Sequence, residues 1–149
     1  AGALPPVIGW TIATGNITLE PILLFFIIFI WTPSHFWALS LYKSEDYKKA
    51  NIPMLPVIAG IKTTKINIFI YSLILFVVAL TPFFFSYSGF IYLLFVIVLS
   101  SYYLYLSFKL LVEKRTKLEK KIAKKIFFFS ILYLFLIFTI ILIDNIFNV

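Results

Sequence analysis

The sequence contains no cysteine, a single histidine, a single methionine and a single arginine, and only 13% of its 149 residues are charged. Without cysteine there is no disulfide, no thiolate metal site and no thiol nucleophile. The shortage of charge excludes an ordinary soluble domain, in which roughly a quarter of the residues are charged to cover the surface. What fills the space is apolar: 62% of the residues are hydrophobic and 20% are aromatic. The class this implies is an all-α integral membrane protein. No charge precedes Glu20, so the positive start of a signal peptide is missing. The opening AGALPPVIGW has no initiator methionine, and the expectation is a piece of a longer membrane protein, its first helix leaning on helices outside it. The net charge of +7 is not read as a nucleic-acid signal. In a membrane chain, lysine and arginine mark the cytoplasmic side and its anionic lipids.

Five apolar segments are expected, at residues 3–14, 19–42, 66–85, 90–112 and 126–147. The first begins at Pro5-Pro6, where a missing N–H costs little, and ends at Gly15-Asn16. It is short for a bilayer crossing. The other four suit a hydrocarbon core about 30 Å thick. Thr18 is a candidate N-cap of the second and Thr64 of the third. Ser86-Tyr87-Ser88-Gly89 reads as a tight turn. The runs are continuous rather than alternating, which excludes barrel strands.

The connections check this reading independently. The stretch 43–65 holds five lysines, and the stretch 109–125 holds the other eight basic residues. Alternating spans put both on one side, which is the cytoplasmic side by the positive-inside rule. Residues 113–125, EKRTKLEKKIAKK, with Leu118, Ile122 and Ile126 on one face, fit a surface helix on anionic lipid. Asp144 is expected at the opposite interface.

The stretch WTPSHFWALSLYKSEDYKKANIPMLP, residues 31–56, concentrates the groups that can do chemistry. Pro33 lies inside a span and frees the carbonyl of Phe29; Thr32 and Ser34 can partly satisfy the freed groups. This kink either opens a pocket or is an ordinary membrane proline. His35 lies at membrane depth, where polar groups face the bundle interior. If the helix persists, positions 35, 39, 42 and 46 form one stripe. His35 then either contacts a substrate metal or polar edge or relays a proton, or makes an interhelical hydrogen bond that packs the bundle. In Lys43-Ser44-Glu45-Asp46-Tyr47-Lys48-Lys49, carboxylates suit a hard cation and lysines suit phosphate oxygens. The plain alternative is a solvated loop with snorkelling lysines. Pro53 and Pro56 forbid a regular helix through Asn51–Pro56, so that segment either caps a site or simply connects.

The pieces AGALPPVIGW, SHFWALSLY and Tyr42-Lys43-x-x-Asp46-Tyr47-x-x-Ala50-x-Ile52-Pro53-Met54-Leu55-Pro56 together resemble the protoheme IX farnesyltransferase (heme O synthase) branch of the UbiA-type intramembrane prenyltransferases. The resemblance covers roughly the first 60 residues, and the later spans match in number and charge. It implies a bundle of nine transmembrane helices around a cavity, of which this chain supplies the last five. The first acidic motif, of N-x-x-x-D type, then lies outside the chain. The second, often D-x-x-x-D across the superfamily, falls on the 43–49 connection, where Ala50 stands four residues after Asp46.

The implied reaction moves a farnesyl group from farnesyl diphosphate to a vinyl group of protoheme IX (heme B, a substrate rather than a cofactor), with water supplying a hydroxyl. The implied cofactor is Mg²⁺, on Asp46 with Glu45 as second ligand. Asp46, Lys43 and Tyr47 are the implied catalytic residues, and His35, Tyr42, Lys48 and Lys49 the implied substrate contacts. Implied partners are membrane lipid and the preceding helices of the same protein, with no nucleic acid. The implied place is a bacterial inner membrane, with the 149 residues alone inactive. Two other readings stand beside it: a prenyltransferase acting on another aromatic ring such as a quinone precursor, and a non-enzymatic membrane subunit.

Overall fold

The computed structural model describes residues 2–147. Seven helices follow one another: α1 (Pro5–Thr14), α2 (Leu19–Tyr42), α3 (Ser44–Lys49), α4 (Leu55–Ile58), α5 (Gly60–Phe84), α6 (Phe90–Val112) and α7 (Thr116–Phe147). No strand occurs among the described residues. α2, α5, α6 and α7 are each long and apolar enough to cross a membrane. α1, at ten residues, is about 15 Å long and reaches half a hydrocarbon core. The described residues therefore hold four full-length crossings and one half-length helix, where five spans were expected.

The four long helices close into a ring, with α2 against α5 and α7, and α6 against α5 and α7. Water is absent around such helices, so packing rather than apolar transfer holds them together, and small residues let the backbones approach. The ring's interior bears this out: Ala38, Ala79, Ala123, Ser34, Ser72, Ser100, Ser107 and Ser130 are all buried. Along α6 the buried positions Tyr92, Val96, Ser100, Tyr103, Ser107 and Leu110 recur every three or four residues, one stripe of a helix. The opposite faces carry exposed Phe26, Phe29, Phe95, Phe108, Phe128 and Phe135, the inverse of a water-soluble pattern.

Three buried tyrosine hydroxyls find partners across the ring. Ser34 pairs with Tyr103 at 3.0 Å, Ser100 with Tyr133 at 3.0 Å, and the Tyr92 hydroxyl donates to the Ala79 carbonyl at 2.7 Å. Each satisfied pair avoids the cost, about 1–3 kcal/mol, of an orphaned buried polar group.

Several expectations are corrected. The helix that carries the third span begins at Gly60 rather than residue 66, so Thr64 is not its cap but an interior residue whose hydroxyl bonds back to the Gly60 carbonyl. Gly60 itself takes φ 85°, a left-handed conformation that turns the chain from α4 into α5. The helix that carries the last span begins at Thr116 rather than 126, so residues 116–125 form no separate surface helix but the first three turns of α7. At 32 residues α7 is about 48 Å long and projects well beyond the hydrocarbon core. Lysine and glutamate are good helix formers, and nothing in TKLEKK breaks the run. Thr18 stands at the N-cap of α2 but makes no capping bond. Thr32 and Ser34 donate to the carbonyls of Ile28 and Trp31, not to that of Phe29. Asp144 lies near the end of α7, is fully buried in the bundle, and accepts the backbone N–H of Gly89 at the start of α6, its other oxygen having no partner among the described residues.

Candidate functional site

Chain direction puts the C-terminal ends of α2 and α6 beside the N-terminal ends of α5 and α7, together with α3 and α4. All thirteen lysine and arginine residues fall at this end. α2 stops at Tyr42 because Lys43 leaves the helical conformation, with φ −103° and ψ 21°. α3 then begins as a separate helix, so the stripe 35–39–42–46 is interrupted at Lys43: Asp46 belongs to a different helix from His35 and Tyr42. α3 closes with Asn51 at φ 52°, tolerated because asparagine enters the left-handed region readily. Pro53 lies in the connection, and Pro56 sits in the first turn of α4, where its missing N–H costs nothing.

On α3, Asp46 lies two-thirds exposed and pairs with Lys43 at 3.2 Å. Glu45 reaches across to Lys120 of α7, forming an ion pair between segments 75 residues apart. That bond, first, and the charges of Lys120 and Lys49 hold the Glu45 carboxyl below its usual range, against a smaller opposing effect of desolvation. Lys48 and Lys49 are exposed and Tyr47 is half-buried. Tyr42 lies under two ammonium groups, Lys43 and Lys124, each 5.4 Å from its ring centre.

A cavity of about 220 Å³ is lined by Ser44, Glu45, Lys48, Pro56, Val57 and Ile61. A second, of about 190 Å³, runs from Leu41 and Glu45 to Glu119 and Lys120. Both are smaller than the roughly 300 Å³ at which drug-sized ligand pockets begin. They suit a phosphate-sized group rather than a prenyl chain. Beneath them Lys65, only 7% exposed, is bound to Glu119 and donates to the Glu113 carbonyl at 2.7 Å.

Adjacent helical positions point about 100° apart, so Glu45 and Asp46 are not arranged to share one ion. No group of three His, Asp or Glu side chains able to hold a metal occurs among the described residues. Mg²⁺ asks for less than that. It keeps several waters and is commonly held by one or two carboxylates plus substrate phosphates. Asp46, open to water and tied only by an exchangeable ion pair, fits that role. Glu45, engaged with Lys120, fits it less well.

His35 lies away from this charged end, inside the α2–α7 interface. Its Nδ1 is 2.6 Å from the Ser130 hydroxyl. Its ring stacks near-parallel on Trp31 at 4.3 Å and on Phe127 at 4.8 Å. The Trp31 indole N–H donates to the Ser130 carbonyl at 2.9 Å. The structure thus brings Lys43 together with Asp46 and Tyr42, and Glu45 with Lys48 at one cavity, but keeps His35 in a cluster of its own.

Three participants were not anticipated: Lys120, Lys124 and Ser130. The first two were assigned to lipid, and only the continuity of α7 carries Lys120 to Glu45 on α3 and Lys124 to Tyr42 on α2. Ser130 left a trace in the sequence, as the lone hydroxyl between Phe127-Phe128-Phe129 and Ile131-Leu132.

Long apolar helices ringed around small residues, with lysines and carboxylates gathered at one end, define a multi-pass membrane protein with a strongly charged end. The chain belongs to the UbiA prenyltransferase family, whose pattern matches residues 1–142. Among its relatives, a protein named protoheme IX farnesyltransferase from Pelagibacter ubique is 59% identical over 98% of this chain and 48% of its own length. The protein of the same name from Legionella pneumophila is 48% identical over 99% of this chain and 49% of its own length. One from Parvibaculum lavamentivorans is 47% identical over 97% of this chain and 46% of its own. The chain spans about half the length of the curated relatives it matches. No solved structure matches it.

Proposed function

We propose that these residues form part of an enzyme that transfers the farnesyl group of farnesyl diphosphate to a vinyl group of protoheme IX, giving heme O. The observation that carries this reading is the α3 hinge, where exposed Lys43, Lys48 and Lys49 flank Asp46 at the end of an apolar, aromatic bundle. The identity to relatives named for that reaction supports it.

Breaking the C–O bond of farnesyl diphosphate leaves diphosphate carrying the electron pair, so its growing charge must be neutralised. Lys43, Lys48 and Lys49 supply that charge, and Tyr42 and Tyr47 orient the phosphate oxygens. Mg²⁺, when bound, lends electrophilic stabilisation to the leaving oxygens; Asp46 would hold it, with Glu45 second. The farnesyl carbon then bonds to the vinyl carbon, water adds to the adjacent carbon, and a proton is released. Until that bond forms, aromatic side chains exclude water and stabilise positive charge. His35 contacts the porphyrin at membrane depth.

The cavities at α3 are too small for a prenyl chain. The reading therefore assigns the rest of the cavity wall, and further acidic ligands, to helices outside these residues. It places the protein in a bacterial inner membrane with the basic end in the cytoplasm.

The test is Asp46→Asn in the full-length protein, measured as heme O formed from heme B and farnesyl diphosphate. A loss on the order of 10²–10³-fold is expected, as for removal of one transition-state charge contact. Unchanged turnover would overturn the assignment of Asp46. With 4-hydroxybenzoate added as a competing acceptor, prenylated heme remains the product. The 149 residues alone are expected to give no turnover.

A further inference from the structure

The hydrogen-bond geometry at Ser130 determines which nitrogen of His35 carries the proton. The Ser130 hydroxyl has one hydrogen and two polar neighbours, a carbonyl oxygen and an imidazole nitrogen. It lies 2.6 Å from the Phe127 carbonyl and 2.6 Å from His35 Nδ1. A carbonyl oxygen cannot donate, so at that distance the hydroxyl hydrogen must point at Phe127 to avoid opposed lone pairs. The hydroxyl then has only a lone pair to offer the imidazole, and His35 Nδ1 must be the donor. In a neutral ring this leaves Nε2 as a bare lone pair.

The surroundings agree. Nε2 makes no hydrogen bond with the described residues, yet it is absent from the atoms sealed off without a partner. Trp31 and Phe127 stack near-parallel to the imidazole, at 18° and 26°, so a ligand approaches in the ring plane and at its edge. That is the approach an electron-pair acceptor needs. Ser130 is itself held by the Trp31 indole on its carbonyl, so the ring, the hydroxyl and the indole form one rigid unit joining α2 to α7.

We propose that Ser130 is a positioning residue that holds His35 in its Nδ1–H form, so that Nε2 presents its lone pair to the iron of the porphyrin substrate. This rests on the heme reading above and adds the nitrogen, the direction of approach and the residue that sets both. Outer partners of metal-binding histidines typically contribute 10–100-fold to affinity. Losing Ser130 should weaken heme binding by that much.

The test uses the full-length protein in two states. In heme-free protein labelled with ¹⁵N-histidine, the His35 resonances are assigned by their loss in His35→Gln. A protonated Nδ1 with a bare Nε2 is expected; the reverse tautomer overturns the proposal. In heme-loaded protein, His35→Ala should abolish the histidine-ligand signature in absorption and electron paramagnetic resonance, with added imidazole restoring it. An unchanged signature overturns iron ligation by His35. Ser130→Ala should raise the heme Kd and KM 10–100-fold with kcat less affected, and Ser130→Thr, which keeps the hydroxyl, should stay near wild type. A Ser130→Ala protein with unaltered tautomer and heme affinity overturns the role of Ser130. Product analysis of the wild type separates the two ideas. Failure to form farnesylated heme sinks the function, whereas heme O formation alongside an unaltered ligand spectrum in His35→Ala sinks this inference alone.

Discussion

Apart from Glu113, whose carboxylate accepts the backbone N–H groups of Lys114 and Arg115, the two ends of the bundle hold their carboxylates in different ways. At the basic end, Glu45, Asp46 and Glu119 each pair with a lysine side chain. At the other end stand Glu20 and Asp144, with no basic residue beside them in the sequence. Asp144 is instead met by the Gly89 N–H at the start of α6, where unsatisfied amides and the helix dipole carry partial positive charge. Lysine ammonium groups are mobile and exchange one anion for another; a backbone amide does not move. A competing anion can therefore displace Asp46 or Glu45 from their lysines, whereas no lysine or arginine among the described residues stands at the far end. The comparison separates a wet, exchangeable electrostatic surface from a fixed structural clasp, although both use the same functional group.

The largest test of that contrast removes the exchangeable charge. Changing Lys43, Lys48 and Lys49 together to glutamine should lower farnesyl transfer on the order of 10³-fold, with the thermal midpoint nearly unmoved because exposed ion pairs contribute little. Kinetics and melting in the same detergent would read both.

Next is Glu119→Gln, which leaves the 7%-exposed Lys65 without its carboxylate. Breaking a buried pair costs about 3 kcal/mol, visible as a lowered unfolding midpoint. A cost near zero would mean that Lys65 reaches water on its own.

At the clasp, Asp144→Ala should cost about 1 kcal/mol, the usual value of a lost cap, and leave turnover at low temperature unchanged. A kinetic defect without a stability loss would erase the distinction between the ends.

The smallest effect is the pH dependence of Glu45. Lys120 depresses its pKa in the folded state, so its contribution to stability is complete above the ordinary carboxylate value of 4.5 and fades as pH falls through the depressed value. The difference in melting between wild type and Glu45→Gln should be small and constant from neutral pH down to about 4.5, then shrink.

α2 and α6 were legible to the residue because punctuation bounds them: Thr18 and Lys43 for one, Gly89 and Glu113 for the other. α5 and α7 were underestimated because hydropathy locates apolar residues, while a helix continues through any run of good formers. The candidate site was half legible. Lysines next to carboxylates announce anion and cation chemistry whatever the fold, so the 43–49 hinge stood out. Its partners Lys120 and Lys124 did not, since a lysine facing lipid headgroups and one facing another helix have the same local sequence. His35 was visible as the single histidine at membrane depth, but its state was not, because Ser130 lies 95 residues away.

Composition and the distribution of charge by themselves determined that this is a helical membrane protein with one basic end, because a bilayer tolerates neither open backbone nor scattered charge. Only the tertiary structure decided which carboxylate meets which cation and which imidazole nitrogen is bare. Those are properties of distances between helices, and a hydrogen bond of 2.6 Å is encoded by packing rather than by any neighbouring residue.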